Sequence, residues 1–126
     1  MRPRLEATSV SISTPRPPVL AAFYARLLGV EVAASEPGWA QLRPAEGRLR
    51  MTLNFELDEL FVAPVWPSVA GEQQVQSHVD VWVDDLVEAQ AWAVECGAEV
   101  HPHQPQADVR VMLDPDGHPF CLFTAH

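Results

Sequence analysis

The side chains of this sequence that could do chemistry fall at a few separated positions. Val75 to Val83 alternates, with His78, Asp80 and Trp82 on one side of an expected strand and Val79, Val81 and Val83 on the other. An imidazole two residues from a carboxylate can pair with it, pass a proton or bind a metal. Leu49, Met51, Leu53 and Phe55 alternate with Arg50, Thr52, Asn54 and Glu56, so Asn54 and Glu56 share a face. The Glu56 carboxylate is a candidate base, although Asp58 and Glu59 extend it into an acidic run suited to solvent. Cys121 stands between Phe120 and Leu122, which point to the opposite face, and shares its own side with Phe123. No cation or helix start beside it marks a thiolate, and a small buried hydrophobe is the plainer reading. His101-x-His103 puts two imidazoles on one side of an extended segment, but Pro102 between them predicts an exposed loop and no metal site. His118 sits in the turn Asp114-Pro-Asp-Gly117 before the last strand, where a structural role is expected.

Bulk composition limits what these residues can serve. Seventeen acidic against eight basic side chains give a net charge of −9, which opposes nucleic acid and anionic membranes as partners. No apolar run approaches the ~20 residues of a membrane span, and the start has no leader pattern, so a cytoplasmic protein is expected. Cys96 and Cys121 lack metal-type spacing and read as reduced thiols. Glycine-rich dinucleotide and phosphate loops are absent, as are Gly-x-Ser-x-Gly and His-Glu-x-x-His. A length of 126 residues suits one domain.

The elements that must carry these residues come in two sets. The first is a strand over Leu5 to Ile12, a helix over Val19 to Leu28 stopped by Gly29, a short strand at Val30 to Val32, a strand at Trp39 to Leu42, and the Leu49 to Phe55 strand. Residues 57–74, rich in turn formers, read as a linker. The second set is the Val75 to Val83 strand, a helix capped by Asp84 or Asp85 and ended by Gly97, and strands at Glu99-Val100, Asp108 to Leu113 and Phe120 to Phe123. Gly29-x-Glu31-Val32 repeats as Gly97-x-Glu99-Val100, and Tyr24-Ala25 as Trp92-Ala93 at the same spacing. A further residue in the preceding loop aligns Ser9 with His78. The expected architecture is α+β, a duplicated strand–helix–three-strand module spanning about 5–56 and 75–126 of a single domain.

With those elements in place, Leu20-Ala-Ala-Phe23-Tyr24-Ala-Arg-Leu-Leu28-Gly29, Gln76-Ser-His78-Val-Asp80-Val-Trp-Val-Asp84-Asp85-Leu86 and Asp114-Pro-Asp-Gly117-His118-Pro-Phe120-Cys121-Leu122 resemble the vicinal oxygen chelate superfamily. That superfamily includes glyoxalase I, extradiol dioxygenases and bleomycin-resistance proteins, and the likeness is nearest to its glyoxalase-like domain group. The resemblance implies two βαβββ modules forming a cup-shaped, curled mixed β-sheet with the helices outside. It also implies a divalent metal held by one inward residue on each of four strands, which binds two neighbouring oxygens of a substrate.

Carried onto this chain, the four positions fall on Ser9, on Asn54 or Glu56, on His78 and on Cys121. Counting back without gaps from Trp66-Pro67 favours Glu56, so His78 and Glu56 are the expected metal or acid–base pair. Ser9, Asn54, Asp80, Trp82, Cys121 and Phe123 are expected to meet the ligand. This set is short of the usual oxygen and nitrogen donors, though zinc on Glu56, His78 and Cys121 with water is chemically allowed. The expectation is therefore a small-organic-molecule binder with no cofactor, and the resemblance implies that it is a homodimer. The alternative is a metal-dependent lyase, isomerase or dioxygenase. Glutathione-dependent glyoxalase activity is not expected from these residues.

Overall fold

Alternating small polar and apolar residues make Ser9–Thr14 a strand (β1), and Thr14-Pro15 ends it. Helix α1 follows over Pro17–Leu28, with prolines in its first turn, where a backbone N–H would have no helical partner. Gly29 ends the helix at φ 71°, and the Arg48 guanidinium donates to the Gly29 carbonyl, setting a cation at the negative end of the helix. Strands β2 (Val32–Glu36), β3 (Trp39–Leu42) and β4 (Thr52–Leu57) complete this first compact unit, Met1–Glu59. The sheet order is β1-β4-β3-β2, with β1 parallel to β4 and the other pairs antiparallel. Leu20, Phe23 and Tyr24 of α1 are buried with Ala40, Leu42, Leu53 and Phe55 of the sheet. Tyr24 stacks on Phe55 with ring centroids 5.8 Å apart. The alternate residues Ser11, Gln41, Thr52 and Asn54 occupy the open face.

The second unit, Leu60–His126, repeats that order; residues 1–124 are described in the computed structural model. It contains β5 (Asp80–Trp82), α2 (Leu86–Cys96), β6 (Glu99–Val100), β7 (Val109–Leu113) and β8 (Pro119–Phe123). The sheet order is β5-β8-β7-β6, again with the first and last strands parallel. The Asp85 carboxylate accepts from the Glu88 N–H at 2.9 Å, a helix cap worth about 1 kcal/mol. Ala93, Ala98, Met112, Phe120 and Leu122 form the buried side. Among the described residues no helix is long and apolar enough to cross a membrane.

The duplicated βαβββ architecture agrees with the sequence reading, while several boundaries move. The strand expected over Leu5 to Ile12 runs from Ser9 to Thr14, because that is the stretch that β4 pairs with, and Leu5 is exposed. The strand expected at Val30 to Val32 lies at Val32–Glu36, opposite β3. The alternating stretch Val75 to Val83 forms a strand only at Asp80–Trp82, where β8 supplies partners. Leu49 belongs to a turn closed by a bridge to Ala45, and β4 starts at Thr52. Residues 58–74 carry no named element, only a bridge from Val65 to Gln74.

Candidate functional site

Strand β5 positions the second unit's candidates by register. Asp80 faces Cys121 and Trp82 faces Phe123 across the parallel β5–β8 pair, so these four share the face opposite Phe120 and Leu122. His78 lies two residues before the first residue of the strand, and its Nε2 is 3.1 Å from Asp80 Oδ1. His78, Asp80 and Cys121 each offer a ligand atom within 4.8 Å of the others. Asp80 is the member of this trio that sequence reasoning did not count as a metal donor. Its alternation with Val79 and Val81 was visible, but its pairing with Cys121 needs the β5–β8 register.

The His78–Asp80 pair is exposed, at 44% and 57% of the two side chains, so it adds little to stability. Trp82 is 54% exposed beside it. Burial, and then the nearby Asp80 charge, push the Cys121 thiol above its ordinary range. At neutral pH the sulfur is therefore held as the thiol, an inert polarizable neighbour and a weak nucleophile. Asp80→Asn removes one of the two causes and is expected to speed iodoacetamide alkylation of Cys121. The rate would be followed by mass spectrometry of the Cys121 peptide across the ascending limb of its pH profile.

Matching the two units strand by strand sets Ser11–Asn54 of β1–β4 in the place of Asp80–Cys121 of β5–β8. Asn54 is thus the counterpart of Cys121, and Glu56 that of Phe123. Glu56 is exposed near the end of β4, opposite Ser13 and Trp39. Ser9 lies opposite Thr52 and is also exposed. The first unit therefore offers neutral oxygens and amides at the positions where the second offers an imidazole, a carboxylate and a thiol. A metal drawn to N, O and S donors together would be of the zinc type, with His78, Asp80 and Cys121 as its holders.

Of two other histidines, one is placed differently from its sequence reading and one agrees with it. His101 is buried, not exposed on a loop: Trp66 packs edge-on against it at 5.1 Å and against His103 at 5.4 Å. Its Nδ1 accepts from the His103 N–H at 3.0 Å. Gln104 binds this segment to β7 by donating to the His101 and Val111 carbonyls and accepting from the Val111 N–H. His118 is structural, its Nδ1 2.8 Å from the buried Asp114 carboxylate.

A helix-backed sheet occurring twice, with polar residues at matched positions on the first and last strands, defines a duplicated α+β protein. A glyoxalase-like domain model matches residues 9–123. The chain belongs to this family, within the vicinal oxygen chelate superfamily. Solved structures share the fold at low identity. A glyoxalase/bleomycin resistance protein/dioxygenase family enzyme from Burkholderia phytofirmans PsJN has a TM-score of 0.67 at 17% identity, covering 94% of this chain and 98% of the other. A glyoxalase family protein from Enterococcus faecalis has a TM-score of 0.66 at 23% identity, covering 94% and 96%. A lactoylglutathione lyase from Agrobacterium tumefaciens has a TM-score of 0.62 at 15% identity, covering 98% and 96%. A comparison with curated proteins finds no match.

Proposed function

We propose that the protein binds a small organic molecule with aromatic character on the open face of its second sheet, without the four-ligand metal site usual in the superfamily. The observation that carries this reading is Trp82, a large ring left more than half exposed on a sheet face beside Phe123 and the His78–Asp80 pair. Such a ring is costly to leave in water and supplies contact area to a flat ligand. The neutral Ser11 and Asn54 at the matched positions of the first sheet add no anionic donor.

The test uses 1-anilinonaphthalene-8-sulfonate as probe and isothermal titration as readout. One saturable site is expected, weakened about tenfold by Trp82→Ala. A stoichiometric divalent metal in the purified protein, lost with His78→Ala, would overturn the proposal, as would probe binding that Trp82→Ala leaves unchanged.

The convergence of His78, Asp80 and Cys121 favours a second reading, a metal-dependent lyase, isomerase or dioxygenase of the same superfamily. The metal would polarise a substrate oxygen, and the three side chains would hold it. On that reading, added cobalt gives a thiolate-to-metal absorption band that Cys121→Ser abolishes.

A further inference from the structure

We infer that the open face of the first sheet is a carboxylate-binding site, in which Asn54 presents its amide N–H groups and Arg43 supplies the positive charge. A chain of two hydrogen bonds carries the inference. Arg43 Nε donates to Gln41 Oε1 at 3.1 Å, and Gln41 Nε2 donates to Asn54 Oδ1 at 2.9 Å. A guanidinium has donors and no acceptor, so Gln41 must turn its oxygen to Arg43 and its nitrogen to Asn54. Asn54 must then turn its oxygen to Gln41. Amide orientation is ordinarily ambiguous, but here the arginine fixes both amides.

Register gives this polarity a direction. Gln41 and Asn54 are direct partners across β3–β4, so Asn54 Oδ1 points toward β3. Its Nδ2 is left on the side of β1, where Ser11 is the partner. Among the described residues no hydrogen bond occupies Asn54 Nδ2, the Arg43 Nη groups or the Ser11 hydroxyl. Around them Ser9 and Thr52 add only hydroxyls, and the carboxylate of Glu56 lies two residues along β4. One fixed positive charge with neutral donors beside it matches a singly charged, planar oxyanion, which a guanidinium binds through a pair of parallel N–H donors. The position corresponding to Cys121 has become a donor of hydrogen bonds, with its oxygen committed to Gln41. The site uses residues of the first unit alone and stands apart from either reading of His78, Asp80 and Cys121.

The test follows the side-chain N–H signals of Asn54 and Arg43 in nitrogen-15 NMR spectra during titration with acetate, benzoate and 3-phenylpropionate. Benzamide and inorganic phosphate serve as comparison probes. Saturable shifts of both side chains are expected with at least one carboxylate, with benzoate binding at least about tenfold tighter than benzamide. Asn54→Asp, which puts a negative acceptor in place of the donor, is expected to abolish the binding, and Arg43→Gln, at an exposed residue, to weaken it about tenfold. Gln41→Met is expected to weaken it as well, by freeing Asn54 to turn over. The inference is overturned by any of four results: no saturable shift with any of the three carboxylates, equal response to benzamide, tighter binding of phosphate, or full binding retained in Arg43→Gln.

Discussion

Asp114→Ala is expected to destabilise the second unit by about 3 kcal/mol, seen as a lower urea midpoint with an unchanged slope. The Asp114 side chain is fully buried. Its Oδ1 accepts from the backbone N–H of Asp116 and of His118, each at 3.0 Å, and both carboxylate oxygens lie within 2.9 Å of His118 Nδ1. Alanine leaves those part-buried donors without their acceptor, and each buried group left without its partner costs about 1–3 kcal/mol. Asn at this position keeps one acceptor oxygen of nearly the same shape and is expected to recover about half of the loss. The turn closes through the Gly117 N–H to the Asp114 carbonyl at 2.9 Å, and it delivers the chain into β8. Loosening it therefore also displaces Cys121 and Phe123. A midpoint for Asp114→Ala equal to that of the parent chain would show that the turn is held by its backbone alone.

Phe55→Ala is expected to cost about 3–5 kcal/mol in the first unit. The ring is wholly buried, stacked on Tyr24 and carried on β4, where its backbone pairs with Ile12 of β1 and Ala40 of β3. Alanine removes the transfer energy of the ring and leaves a cavity that strand backbones held by ladder hydrogen bonds cannot close. Small domains are stable by only about 5–15 kcal/mol, so the loss is a large part of the total. Phe55→Leu refills most of the volume and is expected to cost about a third as much. Because Asn54 and Glu56 are its immediate neighbours, the alanine variant is also expected to blur the side-chain amide signal of Asn54. Urea unfolding followed by tryptophan fluorescence measures the first effect, and the NMR spectrum of the native state measures the second.

What was legible in the sequence was whatever depends on local pattern. The helix stopped by Gly29, the strand at Trp39–Leu42, a helix cap at Asp84 or Asp85 and the turn at Asp114 all declare themselves through spacing or through a residue whose backbone chemistry suits one place. The repeat of Gly-x-Glu-Val was enough to suggest that one module occurs twice. What was not legible depends on a partner strand. Alternation puts Asn54 and Glu56 on one face, but only the pairing of β4 with β1 says which of them stands in the place of Cys121. The Val75 to Val83 pattern shows which residues share a side and cannot show that β8 pairs with only three of them. His101 read as a loop residue because Pro102 forbids a regular strand. It is buried because Trp66, distant in sequence, packs on it, and no local signal announces that contact.

The matched registers of β1–β4 and β5–β8 make the two sheets interchangeable as scaffolds. Each offers the same addresses on a backbone of the same order, so a residue set can be transplanted from one to the other without redesigning a turn or a helix. Writing Ser9→His, Ser11→Asp and Asn54→Cys into the first sheet would copy the second sheet's imidazole, carboxylate and thiol onto it, with Gln41 and Arg43 left as the foreign neighbours. A module repeated in this way lets one half carry one set of side chains while the other carries a different set on the same strand order.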